Sequence, residues 1–252
     1  MIDLHTHLLP GLDDGAATLA EAAEMARAVV REGVTIAAAT PHVRADYPTD
    51  AETMEAGVAA LRDALVAAEV PLDVRTGGEL SLDFIGRLDA TEIRRFGLAG
   101  NPGYLLLEFP YFGWPLQLES LVQDLRSDGI VAVLAHPERN GDVHERPERL
   151  ETIVEAGALV QVTAGSLAGA LGSRARRTAF ALLKRDLVHL VATDVHSPLF
   201  RAGGFSAALR ALGDEELGRW LVEGVPAAIV AGTPLPPKPL RHRQGRWFRR
   251  LR

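Results

Sequence analysis

The sequence contains no cysteine. That absence excludes disulfides, thiolate zinc sites, iron–sulfur clusters and a cysteine nucleophile. Any metal must then be held by His, Asp, Glu or water. Long apolar runs are missing too: none approaches the ~20 residues of a membrane span, so the chain is not expected to be transmembrane. The N-terminus enters Asp3 and His5 without a basic segment, so no signal peptide is expected, and the cytoplasm is the expected compartment. Positive charge is scarce outside the tail. Net charge is -6, yet Lys238, Arg241, Arg243, Arg246, Arg249, Arg250 and Arg252 fall in a final stretch with no Asp or Glu. The body therefore carries about -13, which argues against a nucleic-acid groove.

What is present is a chain of 252 residues, 47% hydrophobic, long enough for one sizeable core. Seven apolar runs read as strands: 2–5, 35–40, 72–77, 104–108, 131–136, 159–163 and 189–193. Most are near-continuous, as in parallel strands covered on both faces. Helical patterns lie between them, over 49–68, 116–127, 147–156, 174–185, 206–212 and 215–222. The clearest start is Thr18-Leu19-Ala20-Glu21, a capping box with Thr18 as N-cap, and Gly33 stands where the same helix would end. Alternating strands and helices predict an α/β protein with a parallel sheet and right-handed crossovers. Seven units favour a closed or nearly closed barrel, with a doubly wound open sheet as the alternative. Residues 1–237 read as one domain and 238–252 as a basic, flexible tail.

In either architecture the working face lies at the C-terminal ends of the strands. Those ends carry His5 and His7, then Asp13 and Asp14, Thr40-Pro41-His42, Gly77-Gly78-Glu79, Glu108, His136-Pro137-Glu138-Arg139 and Thr193-Asp194-Val195-His196. Five of the eight histidines stand there; His144, His189 and His242 do not, and read as structural or solvated. His5 and His7, two apart on an extended chain, point the same way. Imidazoles and carboxylates converging on one mouth would repel or stay unpaired without cations between them. The constellation therefore reads as a metal site.

These motifs resemble the PHP (polymerase and histidinol phosphatase) superfamily. They are Asp-x-His-x-His, Thr-Pro-His, Gly-Glu after the third strand, Ala-His-Pro-Glu-Arg and Thr-Asp-x-His. More narrowly, Ile-Asp-Leu-His-Thr-His-Leu-Leu-Pro-Gly-Leu-Asp-Asp-Gly-Ala and Leu-Ala-His-Pro-Glu-Arg-Asn resemble the PHP-type protein-tyrosine phosphatases of bacterial capsule and exopolysaccharide operons. The resemblance runs from residue 2 to about 232. It implies a distorted (β/α)7 barrel with three divalent metal ions, manganese first, with iron or zinc as alternatives. One ion would take His5, His7, Glu79 and Asp194. A second would share Glu79 and add Glu108 and His136. The third would take Asp14, His42 and His196. Arg139 and Arg201 stand where the family has phosphate-binding arginines. The family segment at the second usually reads Asn-x-x-x-Arg-Pro-Pro, whereas here it is Ser197-Pro198-Leu199-Phe200-Arg201-Ala202.

The chemistry expected of such a site is phosphate monoester hydrolysis by metal-activated hydroxide, with the arginines clamping phosphate. His42 or His196, or a metal-bound water, is the expected proton carrier. Phe109, Tyr111, Phe112 and Trp114 cluster after the fourth strand, as a wall for a phenyl ring or as ordinary loop packing. The resemblance implies a phosphotyrosine protein as substrate, a bacterial tyrosine autokinase regulating polysaccharide synthesis. One alternative is a small-molecule phosphatase acting on histidinol phosphate or a nucleotide through the same centre. Another is a non-catalytic metal module that docks a kinase. The basic tail reads as a solvated end, with peripheral contact to an anionic membrane or an acidic kinase tail as the minority reading.

Overall fold

The structure, a computed structural model, describes residues 1–198 and 204–239. Arg201 and most of the basic tail lie outside the described residues. The described strands are β1 (Ile2–Thr6), β2 (Ile36–Ala39), β3 (His42–Arg44), β4 (Tyr47–Pro48), β5 (Asp73–Arg75), β6 (Glu79–Ser81), β7 (Tyr104–Glu108), β8 (Val131–Ala135), β9 (Leu159–Thr163) and β10 (Leu190–Ala192). They form a parallel three-stranded sheet, β1-β2-β5, and a seven-stranded sheet in the order β10-β9-β8-β7-β6-β3-β4. Only the β3–β4 hairpin is antiparallel among the pairs described. A parallel bridge between Thr6 and Val195 joins the two sheets beyond β10.

The α/β expectation with a parallel sheet is met. The strands at 104–108 and 159–163 fall where the apolar runs predict. The strands expected at 35–40 and 72–77 are different: each is half of a longer segment that breaks and changes sheets. Thr40-Pro41 separates β2 from β3, and Thr76-Gly77-Gly78 separates β5 from β6. Pro41 has no N–H to continue a ladder. Gly78 leaves room for a ring, since a Cβ there would stand 2.6 Å from Phe96 Cδ1. Both breaks come just before a residue of the site, so His42 and Glu79 open new strands and pair with each other in register.

The first long helix, Leu19–Arg31, starts as expected, with the Thr18 side chain accepting from the Glu21 N–H. The Glu21 carboxylate returns to the Ala17 N–H at 3.0 Å, one residue earlier than the capping-box pattern predicts. Gly33 follows the helix at φ 89°, a left-handed backbone that glycine adopts without steric cost. Short helices at Ala90–Arg95, Gly141–Glu145 and Ala164–Ala168 have no counterpart in the sequence reading. They are too short to show a periodic stripe.

Helices cover the sheets, and β1 and β9 are buried along their whole length. Asp3 puts a carboxylate into the buried interior of β1. Its carboxylate accepts from the Thr193 N–H at 3.0 Å and the Thr193 hydroxyl at 2.5 Å. A buried carboxylate needs such partners, and these two tie the first strand to the end of the last. Lys238 rests on the body, donating to Asp186 O at 3.0 Å and Val188 O at 3.2 Å. No helix among the described residues is long and apolar enough to cross a membrane.

Candidate metal centre

The site is built where the strands end. His5 and His7 lie at the end of β1, buried together. His5 Nδ1–H donates to Gln161 Oε1 at 3.0 Å, and His7 Nδ1–H donates to Asp13 Oδ2 at 2.7 Å. Each bond fixes a tautomer and leaves the Nε2 lone pair facing inward. The two Nε2 atoms are 3.1 Å apart. Two lone pairs that close call for a cation between them.

The turn after His7 brings in the acidic residues. Gly15 permits the fold-back: a Cβ there would stand 2.2 Å from His7 O. Asp13 then reaches His7, and its Oδ2 also accepts from the His42 N–H at 3.0 Å. Asp14 faces outward. Its Oδ1 lies 3.4 Å from His42 Nε2 and 3.3 Å from His196 Nε2.

Glu79 is the centre. It is fully buried, and Oε1 lies 2.9 Å from His136 Nε2. Oε2 has no hydrogen bond among the described residues, yet lies 2.9 Å from His42 Nδ1, 3.3 Å from His5 Nε2 and 3.6 Å from His7 Nε2. A buried carboxylate oxygen left unbonded among three imidazoles is costly without a cation. Asp194 Oδ1 lies 3.3 Å from both His5 and His7 Nε2. Glu108 Oε2 is 3.8 Å from His42 Nδ1.

Four groups of side chains have donor atoms close enough to share an ion: His7, Asp14, His42 and His196; His5, Glu79 and His136; His5, His7 and Asp194; and His42, Glu79 and Glu108. All nine residues expected as ligands therefore meet at one mouth. His136 and Asp194 sit there at φ 39° and 54°. Non-glycine residues pay for this left-handed backbone, and such strain clusters at functional sites. The nitrogen and carboxylate donor set suits manganese, iron or zinc.

Electrostatics follow the geometry. Burial opposes charge on His5, but Glu79 and Asp194 outweigh it and raise its pKa to about 9. Burial likewise opposes charge on Glu79, and His5, His136 and His42 hold it well below the carboxylate range. Glu108 is pushed up by burial and then by Glu79. A cation replaces protons in such a cluster.

Beside the cluster lies a cavity of about 560 Å³, lined by His42, His136, Asp194, His196, Tyr111 and Arg139 among others. Arg139 Nη1 donates to Asp194 Oδ2 at 2.8 Å. The expected aromatic wall narrows to one residue. Tyr111 lines the cavity, its ring stacked on His136 at 5.8 Å. Phe109 is buried, Trp114 packs on Phe109 and Arg149, and Phe112 faces solvent. His144 and His189 are structural, as expected: each pairs with backbone, at Glu138 O and the Val160 N–H.

Sequence reasoning missed the residues that aim the ligands. Asp13 was visible as the neighbour of Asp14 but had no signal of its own. Gln161 had one, as the single amide in the apolar run Leu159-Val-Gln-Val-Thr.

Fold and centre together define a parallel α/β protein with a buried cluster of histidines and carboxylates fit for several divalent cations. Comparison with known proteins narrows this class. Residues 1–222 match the family model described as capsular polysaccharide synthesis, CpsB/CapC, and the chain belongs to that family. It is 36% identical over 251 residues to the tyrosine-protein phosphatase YwqE of Bacillus subtilis, covering 97% of this chain and 98% of that one. It is 31% identical over 200 residues to the putative tyrosine-protein phosphatase CapC of Staphylococcus aureus, covering 78% and 77%. Among solved structures, it matches a chain from the work on YwqE of Bacillus subtilis and CpsB of Streptococcus pneumoniae, described there as unique metal-dependent tyrosine phosphatases. The TM-score is 0.86 at 33% identity, over 96% of this chain and 100% of that one. A probable 2-pyrone-4,6-dicarboxylic acid hydrolase of Acinetobacter baumannii, 13% identical with a TM-score of 0.57 over 92% and 98% of the two chains, shares the fold alone.

Proposed function

We propose that this chain is a metal-dependent protein-tyrosine phosphatase, a phosphoric monoester hydrolase that works without cysteine. The observation that carries the reading is Glu79, buried and unbonded at Oε2 among three imidazole nitrogens, two from the end of β1 and one from the start of β3. Three divalent ions, manganese first, would be held as follows: His5, His7, Glu79 and Asp194; Glu79, Glu108 and His136; Asp14, His42 and His196. When bound, such ions supply Lewis acidity to phosphate oxygens and bring the pKa of water toward neutrality.

The chain's own residues do the rest. Gln161 and Asp13 hold the β1 histidines in the ligating tautomer. Arg139, at the cavity wall, offers a planar fork to two phosphate oxygens, with Arg201 as its partner from outside the described residues. The Tyr111 ring, held by Arg139 and His136, forms part of the cavity wall beside which the substrate phenyl would lie. Its hydroxyl, raised to about 12 by burial first, stays neutral. Water adds to phosphorus as the bond to the tyrosine oxygen breaks. That oxygen, with an ordinary pKa near about 10, leaves with little acid assistance. The proton that this oxygen takes up would come from the attacking water, beside His42 and His196 at the cavity wall.

Two features support reading the two sheets as one distorted (β/α)7 barrel over residues 1–237. The β2–β3 and β5–β6 segments run through both sheets, and Asp194 N–H donates to His5 O at 2.9 Å, across from β10 to β1. The partner we infer is a bacterial tyrosine autokinase acting in the cytoplasm, a reading supported by the family's link to capsular polysaccharide synthesis.

The test is elemental analysis of protein purified without chelator, paired with turnover of a phosphotyrosine peptide with and without manganese. The expected result is bound metal and manganese-stimulated release of phosphate, faster from the peptide than from histidinol phosphate. Faster release from the small phosphate turns the assignment to the small-molecule alternative. Metal without any turnover leaves only a binding module.

A further inference from the structure

Two arginines line the cavity among the described residues, Arg139 and Arg44. They are built into the site in the same way. The Arg139 guanidinium lies 4.7 Å over the Tyr111 ring, Tyr111 stacks on His136 at 5.8 Å, and Nη1 bonds Asp194 at 2.8 Å. The Arg44 guanidinium lies 5.1 Å over the Tyr47 ring, Tyr47 stacks on His42 at 5.8 Å, and Nη1 bonds Glu108 Oε1 at 2.9 Å. Each arginine follows a ligand histidine in the chain, by three residues and by two. Each braces that histidine through a tyrosine and grips a ligand carboxylate from another strand.

Resting on the phosphatase reading above, we propose that Arg44 is a further phosphate-contacting arginine of this site, serving the side of Glu108 as Arg139 serves the side of Asp194. The β3–β4 hairpin sets Arg44 directly opposite Tyr47, which fixes its direction. Its donors are under-used. Nη1 holds Glu108. Nε is buried without a hydrogen bond, though it forms an ion pair with Asp46 Oδ1 at 2.9 Å. No hydrogen bond among the described residues uses Nη2. A guanidinium with donors to spare beside a cavity suits a second oxyanion. The charge balance agrees. A phosphate dianion entering between Asp14 and Asp194 meets like charge, and the described lining offers Arg44 and Arg139 as its permanent cations. The sequence hides this role because nothing marks Arg44 apart from other surface arginines until the hairpin turns it inward.

The test uses full-length, manganese-loaded protein and the variants Arg44→Gln and Arg44→Lys. Inorganic phosphate is titrated by calorimetry, metal per chain is counted by elemental analysis, and kcat and KM are measured on a phosphotyrosine peptide. Arg44→Gln is expected to weaken phosphate binding about tenfold and to raise KM similarly, at the parent's metal content, with Arg44→Lys in between. Unchanged phosphate affinity overturns the proposal. So does loss of metal in Arg44→Gln, which would make Arg44 only a brace for Glu108. The phosphate titration needs no turnover. A parent that binds phosphate but does not cleave phosphotyrosine sinks the phosphatase reading, not the role of Arg44.

Discussion

His5 and His189 stand at opposite ends of the strands, one closing β1 at the mouth and the other just before β10. Desolvation works against charge on both. Yet His5 is raised to about 9 and His189 is lowered to about 4. The difference lies in what faces each ring. Glu79 and Asp194 face His5, while the cation of Lys238 adds to the desolvation at His189. His189 can stay neutral as the acceptor for the Val160 N–H at 3.1 Å. Burial alone therefore does not mark a functional histidine. The mouth gathers carboxylate charge that protons or cations must neutralise, and the far end spends its histidine on backbone.

The strongest way to break this contrast is at Glu79. Glu79→Gln keeps the shape but removes the shared charge. It is expected to lower kcat/KM on a phosphotyrosine peptide by about 10²–10³-fold or more and to reduce metal per chain. Full metal content in that variant would mean the mouth is not organised around Glu79.

A smaller effect is expected one step out. Asp13→Asn leaves every ligand in place but loosens the His7 tautomer. Outer partners of this kind are worth about 10–100-fold in metal affinity, measured by competition with a chelator dye. Unchanged affinity would reduce Asp13 to a turn residue.

The two histidines also set opposite pH trends in stability. With metal removed, the raised pKa of His5 contributes stability that is fully present below about 6.5. It is lost as pH rises through about 9. Chelated protein should therefore lose Tm over that window, and added manganese should restore it. Equal Tm profiles with and without metal would count against proton–metal competition. The smallest effect is at the far end. The lowered pKa of His189 contributes stability that is present above about 6.5 and is lost as pH falls toward 4. His189→Asn should flatten that acid limb of the Tm profile and leave metal content alone.

Legibility in the sequence followed local physics. The run Tyr104–Glu108 was readable because parallel strands buried on both faces are continuous apolar stretches. Most of the nine expected ligands were readable because they stand where such a run stops, and Asp14 because it is one of two acids in the turn after His7. β3 and β6 were not readable as strands, for they are three residues long and follow a proline and a glycine pair. Their identity depends on a neighbour supplied by another strand. Gln161, Asp13 and Arg44 share that reason: each acts on a residue brought near only by folding.

By itself the chain determined its alternation of strands and helices, and the chemical kinds of group at each strand end. Those follow from periodicity and from residue type. Which side chain serves which imidazole was decided only in three dimensions, because one hydrogen bond donated to Gln161 or Asp13 selects the nitrogen that faces the cluster. A ring of donors becomes a site when distant segments fix one another's angles.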